Sequence, residues 1–252
     1  MDLHLDGKIA LVTGASAGLG RAIASMLAAE GCRVAVVARR GPLLQALADE
    51  IEGRGQPRPL VLVDDIVDVD APARLRRQVL DAYGRIDILV NNAGGSRPFD
   101  GLGTRAQWEE AMTLNFHAGR ELAHAVIGDM RAQRFGRIIN LTGSDEPLAV
   151  NGGVPPNGAV HLWAKALSRV VGRDGVTVNC IPPGRIHSEQ IDQRLLPTPE
   201  LQQQWVDANC PAGYIGEPDD LAVVVAFLAS PLARYVNGQV IHVDGGARRF
   251  AH

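Results

Sequence analysis

Cysteine is scarce in this chain of 252 residues. Cys32, Cys180 and Cys210 are odd in number and scattered, with no C-x-x-C spacing. A disulfide framework and the common zinc patterns are therefore excluded, and reduced thiols in a cytoplasmic protein without a metal site are expected. Long apolar runs are missing too. The longest near the C-terminal end, Leu221 to Ala229, falls far short of the ~20 residues that span a bilayer, and Met1 is followed by Asp2, His4 and Asp6, unlike a secretory signal. The net charge of −3 offers no general attraction for nucleic acid or an anionic membrane, so neither is expected as a partner. No linker, repeat or low-complexity tract marks a boundary, so residues 1–252 are expected to form one domain. Tyrosine is rare, with only Tyr83, Tyr214 and Tyr235.

What the chain does have is a core-forming composition, 46% apolar, arranged as alternating short β-branched runs and helical periodicities. Strands are expected at Ile9–Val12, Arg33–Ala38, Leu60–Val63, Ile86–Val90, Arg137–Leu141, Val176–Ile181 and Gln239–Val243. Helical spacing lies between them, including one long stretch from Thr104 to Arg134 and another ending near Asp174. Such alternation implies right-handed βαβ units and a doubly wound α/β fold: a parallel sheet of about seven strands, helices on both faces. In such sheets ligands lie beyond the carboxyl ends of the strands, where the strand order reverses. The mixed, proline-containing segment at about 185–215, with Trp205, Pro197 and Pro199, reads as a lid over that edge.

The stretch Gly7–Gly20, GKIALVTGASAGLG, is the focus. A buried strand runs into Thr13-Gly14, and Gly18 and Gly20 open a helix. Glycines let backbone approach a phosphate closely, and the helix N-terminus favours negative charge. The same residues would also suit an ordinary tight turn. The spacing T-G-x-x-x-G-x-G resembles the nucleotide-binding loop of the short-chain dehydrogenase/reductase family. NNAG at Asn91–Gly94, Asn115 in LNF, PPGRIHS at Pro182–Ser188, GEPDDLA at Gly216 and the terminal VNGQVIHVDGG match further landmarks in the right order, over nearly the whole chain.

The resemblance implies a Rossmann-type oxidoreductase moving a hydride between a nicotinamide cofactor and a ketone or secondary alcohol, assembled as a homodimer or homotetramer. It assigns cofactor contacts to Gly14, Ser16, Gly18, Leu19, Gly20, Arg39, Asp65, Asn91, Ala93, Gly94, Pro183, Gly184, Ile186 and Ser188. An acidic residue after the second strand would bind a ribose diol. This chain has Ala38, Arg39 and Arg40 there, and a guanidinium suits a 2′-phosphate, so NADP(H) is favoured over NAD(H).

The family's Y-x-x-x-K is absent. In one frame, H-x-x-x-K at His161–Lys165 replaces it, leaving only a stub of helix before the sixth strand. In the other, the ungapped run Leu167–Asn179 puts Gly153 in the tyrosine position and Asn157 in the lysine position, with Gly143 where the serine belongs. Asn115, Ser144 and His161 are then the candidate catalytic residues, with Thr142 beside them. Asp145, Glu146 and His187 are further ionisable neighbours. Three functions follow: an oxidoreductase with an atypical proton-transfer group, a nucleotide-binding subunit or sensor without turnover that pairs with an active relative, and a lyase or hydratase reusing the pocket.

Overall fold

In the computed structural model, which describes residues 1–143, 146 and 149–250, six parallel strands form one sheet. They are β1 (Ile9–Thr13), β2 (Arg33–Ala38), β3 (Leu60–Val63), β4 (Ile88–Asn91), β5 (Gly136–Leu141) and β6 (Val176–Ile181), in the order β3-β2-β1-β4-β5-β6. Every residue of β1 and β6 is buried, as continuous Val/Ile-rich runs in a covered parallel sheet should be. Successive side chains point to opposite faces, which divides the core in two. Ala10, Val12, Val34 and Val36 pack under helices α1 (Gly18–Ala29), α2 (Gly41–Gly53) and α8 (Pro218–Ala229) through Ile23, Leu27, Leu44 and Leu221. Ile9, Leu11, Ile138 and Val178 pack under α3 (Ala71–Tyr83), α5 (Ala118–Ala132) and α6 (Val154–Val171) through Leu75, Val126, Met130 and Ala164.

Local chemistry sets several boundaries. α3 opens with Pro72 in its first turn and ends at Gly84, whose φ of 78° needs no Cβ. α4 (Arg105–Met112) starts in a reciprocal cap between Thr104 and Gln107, and Glu217 with Asp220 does the same for α8.

The structure departs from the periodicity at three places. The stretch from 104 to 134 is not one helix: α4 passes through a π-helical turn, Thr113–His117, into α5. β4 begins at Ile88 instead of Ile86: Asp87 N still donates to Ile9 O at 2.9 Å, but Ile9 N donates to the Asp87 carboxylate, Oδ2 at 2.9 Å, instead of to a main-chain carbonyl. The seventh strand is reduced to isolated bridges, Val240 with Cys180 and Val243 with Pro183. Backbone bonds join Cys180 N to Gln239 O and Ile241 N to Cys180 O, then Val243 N to Pro182 O and Gly184 N to Val243 O. The rung between those pairs would be donated by residue 182, and Pro182 has no N–H.

A ladder of buried amides crosses the sheet. Asn91 Nδ2 donates to Asn140 Oδ1 at 3.0 Å, Asn140 Nδ2 to Asn179 O at 3.3 Å, and Asn179 Nδ2 to Val236 O at 2.9 Å. It links the end of β4 to β5, β6 and the C-terminal segment. Among the described residues no helix is long and apolar enough to cross a membrane.

Candidate active site

The strand order reverses between β1 and β4, and there the two carboxyl ends interlock. Thr13 Oγ1 accepts from Asn92 N at 3.0 Å and from Ala93 N at 3.1 Å. Asn92 Nδ2 donates to Thr13 O at 2.9 Å and Gly14 O at 3.2 Å. Gly14 and Gly18 have φ of 67° and 53°, a region costly for residues with a Cβ. A Cβ on Gly20 would stand 2.4 Å from Gly14 O and 2.4 Å from Asn92 Nδ2. α1 has no side-chain cap and no acidic residue in its first turn, so its leading N–H groups stay available to an anion. A cradle that a Cβ would fill, beside an uncapped helix start, fits a dinucleotide diphosphate. Leu19, in that first turn, packs against the core.

A cleft of about 670 Å³ opens beside the turn. Gly14, Ser16, Arg39, Asp65, Ala93 and Gly94 line it, together with Ser96, Arg97, Leu114, Gln190 and Arg194. Arg39 is largely exposed and lies 3.7 Å from Asp65. Arg40, adjacent to the residue singled out from sequence, is held more firmly: its Nε donates to Ser16 Oγ at 3.2 Å and its Nη1 to both oxygens of Glu189 at 3.0 Å. Asp64 is taken by Arg74, at 2.7 and 2.9 Å. Asn91 lies beneath the cleft in the amide ladder, and its Oδ1 is buried without a hydrogen-bond partner.

Asn115 sits in the π-helical turn, where the widened backbone leaves irregular bonding. Its Oδ1 accepts from Gly95 N at 2.8 Å and its Nδ2 donates to Ala111 O at 3.1 Å, so it steadies the loop after β4. A second brace comes from Asn151, whose Oδ1 accepts from Arg97 N and Gly153 N and whose Nδ2 donates to Ser96 Oγ.

The loop after β6 carries four of the candidate residues. Pro183 bridges Val243, and a Cβ on Gly184 would stand 2.6 Å from Asp244 Cα. Ile186 is buried and bridges Gly216. Ser188 begins a compact turn: its Oγ accepts from Ile191 N, and its N donates to Asp192 Oδ2 at 2.9 Å. His187 Nδ1 lies 2.7 Å from Asp192 Oδ1. Beyond a π-helical segment, Ile191–Leu195, comes α7 (Pro199–Asn209). Arg185 stacks over Trp205 of α7 at 5.9 Å, and burial lowers its pKa from the ordinary guanidinium value.

Gly153, Asn157, His161 and Lys165 follow one another along α6, with Gly153 at its N-terminal cap. After Lys165 the helix continues only to Val171, followed by a 3₁₀ turn at Gly172–Asp174 before β6, so the H-x-x-x-K frame would leave the short remainder of helix expected of it. Gly143 faces Asn157, and a Cβ there would stand 2.7 Å from Asn157 Nδ2. His161 Nε2 lies 3.0 Å from Thr142 Oγ1, at the end of β5. Lys165 is turned away, its Nζ donating to Gly238 O at 3.1 Å. Ser144 and Asp145 lie outside the described residues. Glu146 accepts from the main chain of Arg249 and Phe250, both at 3.0 Å. Among the described residues no three His, Cys, Asp or Glu side chains gather as a metal site would need.

A glycine cradle at the switch point, a cleft along the strand ends and an asparagine-held loop after β4 define a dinucleotide-binding α/β protein. Residues 14–248 match the family profile described as enoyl-(acyl carrier protein) reductase. The chain belongs to the short-chain dehydrogenase/reductase family of NAD(P)-dependent oxidoreductases. It is similar, 36% identical over 99% of its length and all of the relative, to the (2S)-[(R)-hydroxy(phenyl)methyl]succinyl-CoA dehydrogenase subunit BbsD of Thauera aromatica. It is also 37% identical to the 3-oxoacyl-[acyl-carrier-protein] reductase FabG of Escherichia coli, over 97% of this chain and 98% of that one. Among solved structures, L-sorbose reductase from Gluconobacter frateurii complexed with NADPH and L-sorbose superimposes with a TM-score of 0.92 at 28% identity, covering 99% of this chain and 100% of that one. A 7α-hydroxysteroid dehydrogenase complexed with NADH and 7-oxo glycochenodeoxycholic acid gives 0.91 at 30% identity, covering 100% and 98%.

Proposed function

We propose that the protein interconverts a ketone and a secondary alcohol with NADP(H), using Thr142 and His161 as its proton-handling pair. When bound, the nicotinamide supplies or accepts the hydride. The cradle from Gly14 to Gly20 would hold the diphosphate, and Arg39 with Arg40 a 2′-phosphate. The observation that carries the proposal is the 3.0 Å contact between Thr142 Oγ1 and His161 Nε2 at the carboxyl end of β5. Imidazole exchanges protons near neutral pH, and a hydroxyl that both donates and accepts can pass a proton toward a substrate oxygen. Replacing His161 by Phe is expected to lower kcat/KM about 10²–10⁴-fold with NADP+ affinity unchanged. Unchanged turnover would remove the pair from the mechanism. In this reading the chain is one domain, and residues from about 185 to 215 close over the cleft.

A second reading is favoured by Gly143, Gly153 and Asn157 at the positions where the family resemblance expects serine, tyrosine and lysine. Here the chain is a nucleotide-binding subunit without turnover, working beside an active relative. The BbsD relative is itself named as a subunit of a dehydrogenase. Steady NADPH oxidation by the purified chain alone, with any carbonyl, decides for the first reading; nucleotide binding without it, for the second. Product formation with constant nicotinamide absorbance would point instead to a lyase or hydratase.

A further inference from the structure

We propose that Glu189 is a built-in rival of the nucleotide's 2′-phosphate: its carboxylate occupies Arg40 and ties the start of the 188–195 segment across the cleft until that phosphate takes its place. The inference rests on the nucleotide reading above and adds to it a residue that tempers the preference between NADP(H) and NAD(H).

Arg40 leaves the end of β2, where an acidic residue would mark the ribose. Its guanidinium bonds in two directions, to Ser16 of the glycine turn at 3.2 Å and to both Glu189 oxygens at 3.0 Å. Ser16, Arg40 and Glu189 all line the cleft. One side chain thus joins the nucleotide turn to a segment 149 residues further along. The carboxylates nearby are already engaged, Asp64 by Arg74 and Asp65 by Arg39. Glu189 is presented by a compact turn, because Ser188 receives Ile191 N and binds Asp192.

A carboxylate and a phosphate compete for the same planar fork of donors. A nucleotide with a 2′-phosphate can displace Glu189 and release the segment. One with only a ribose diol brings no such group, and leaves the strap in place. Both partners are about half exposed, which keeps the contact weak enough to exchange.

The test is calorimetric titration of the wild type, Glu189→Gln and Glu189→Ala with NADP+, NAD+, adenosine 2′,5′-bisphosphate and 5′-AMP. Both variants are expected to bind NADP+ and the bisphosphate about two- to fivefold tighter, the range expected on removing a half-exposed ion pair, with NAD+ and AMP unchanged. Hydrogen exchange supplies a second readout: the bisphosphate, and not AMP, should raise exchange at 188–195 in the wild type, and Glu189→Ala should start from the raised level. Equal or weaker binding of the 2′-phosphorylated ligands overturns the proposal, as does an equal gain for AMP. If the wild type binds neither dinucleotide, the nucleotide reading itself fails. That result is distinct from dinucleotides that bind while the Glu189 variants show no discrimination.

Discussion

Replacing Gly20 by Ala tests whether the turn after β1 is built for close backbone approach. The added methyl would stand 2.4 Å from Gly14 O and 2.4 Å from Asn92 Nδ2. The carbonyl is main chain and cannot swing aside, so the amide must yield, with its bonds to Thr13 O and Gly14 O. Overpacking costs about 1–3 kcal/mol. Losing the partners of this partly buried amide costs about 1 kcal/mol more. The better helix propensity of alanine returns about 1 kcal/mol. A net loss of about 2 kcal/mol is expected, together with loss of nicotinamide-dinucleotide binding. Urea unfolding followed by far-UV circular dichroism reads the first, and calorimetric titration the second. The control is the same substitution at Gly158, in α6, where a Cβ meets nothing within 4 Å; there a gain of about 0.5–1 kcal/mol is expected. A Gly20→Ala protein as stable as the wild type, with unchanged affinity for either nicotinamide dinucleotide, would refute the account of the turn.

Alkali should weaken the fold through its buried thiols. Burial pushes Cys32 up to about 12, aided by nearby Asp87, and burial does the same for Cys180. The unfolded thiol ionises near ~8.5. The folded state then keeps protons the unfolded chain releases, so stability is full below that pH and falls above it by about 1 kcal/mol per thiol for each pH unit. The drop in urea midpoint from pH 8 to pH 10 should be smaller for a Cys32→Ala/Cys180→Ala variant than for the wild type; equal drops would refute this. Arg137→Met should cost about 1.5–3 kcal/mol, because its buried guanidinium donates to the carbonyls of Ser230, Gly136 and Gly175; Ser230 O keeps Ala233 N and Gly175 O keeps Gly136 N, so what is lost is the charge-assisted bonds themselves. Thr104→Ala should remove about 1 kcal/mol with the cap of α4, seen as faster exchange of the first amides of that helix.

The sheet and most helices were legible because continuous β-branched runs and apolar spacings near 3.6 report burial directly. What escaped reading was decided by single atoms. The π-helical turn at Asn115 adds one residue to a helix without disturbing the apolar pattern around it. The last strand breaks at Pro182, a residue on its partner and far away in sequence. The family likeness marked the glycine turn, the loop after β4 and the departures at Gly143, Gly153 and Asn157. It passed over Asn92, whose amide locks the turn, although its place beside Asn91 in NNAG was a signal. Arg40 and Glu189 carry no shared pattern at all; their pairing exists only once β2 and the loop after β6 reach the same edge.

The row of asparagines through positions 91, 140 and 179 has a consequence for descent as well as for folding. Asn91 and Asn140 meet amide to amide, so a lone change of Asn91 to an alkyl side chain would strand the Asn140 oxygen where water cannot follow, whereas Asn140 and Asn179 donate to main-chain carbonyls. Lineages should therefore keep Asn91 and Asn140 together or exchange them together, while Asn179, whose side chain braces the main chain of Val236 and Gln239, is tied to neither. In such an exchange the loop after β4 would be the first place to drift, because Asn91 is the rung that ends there.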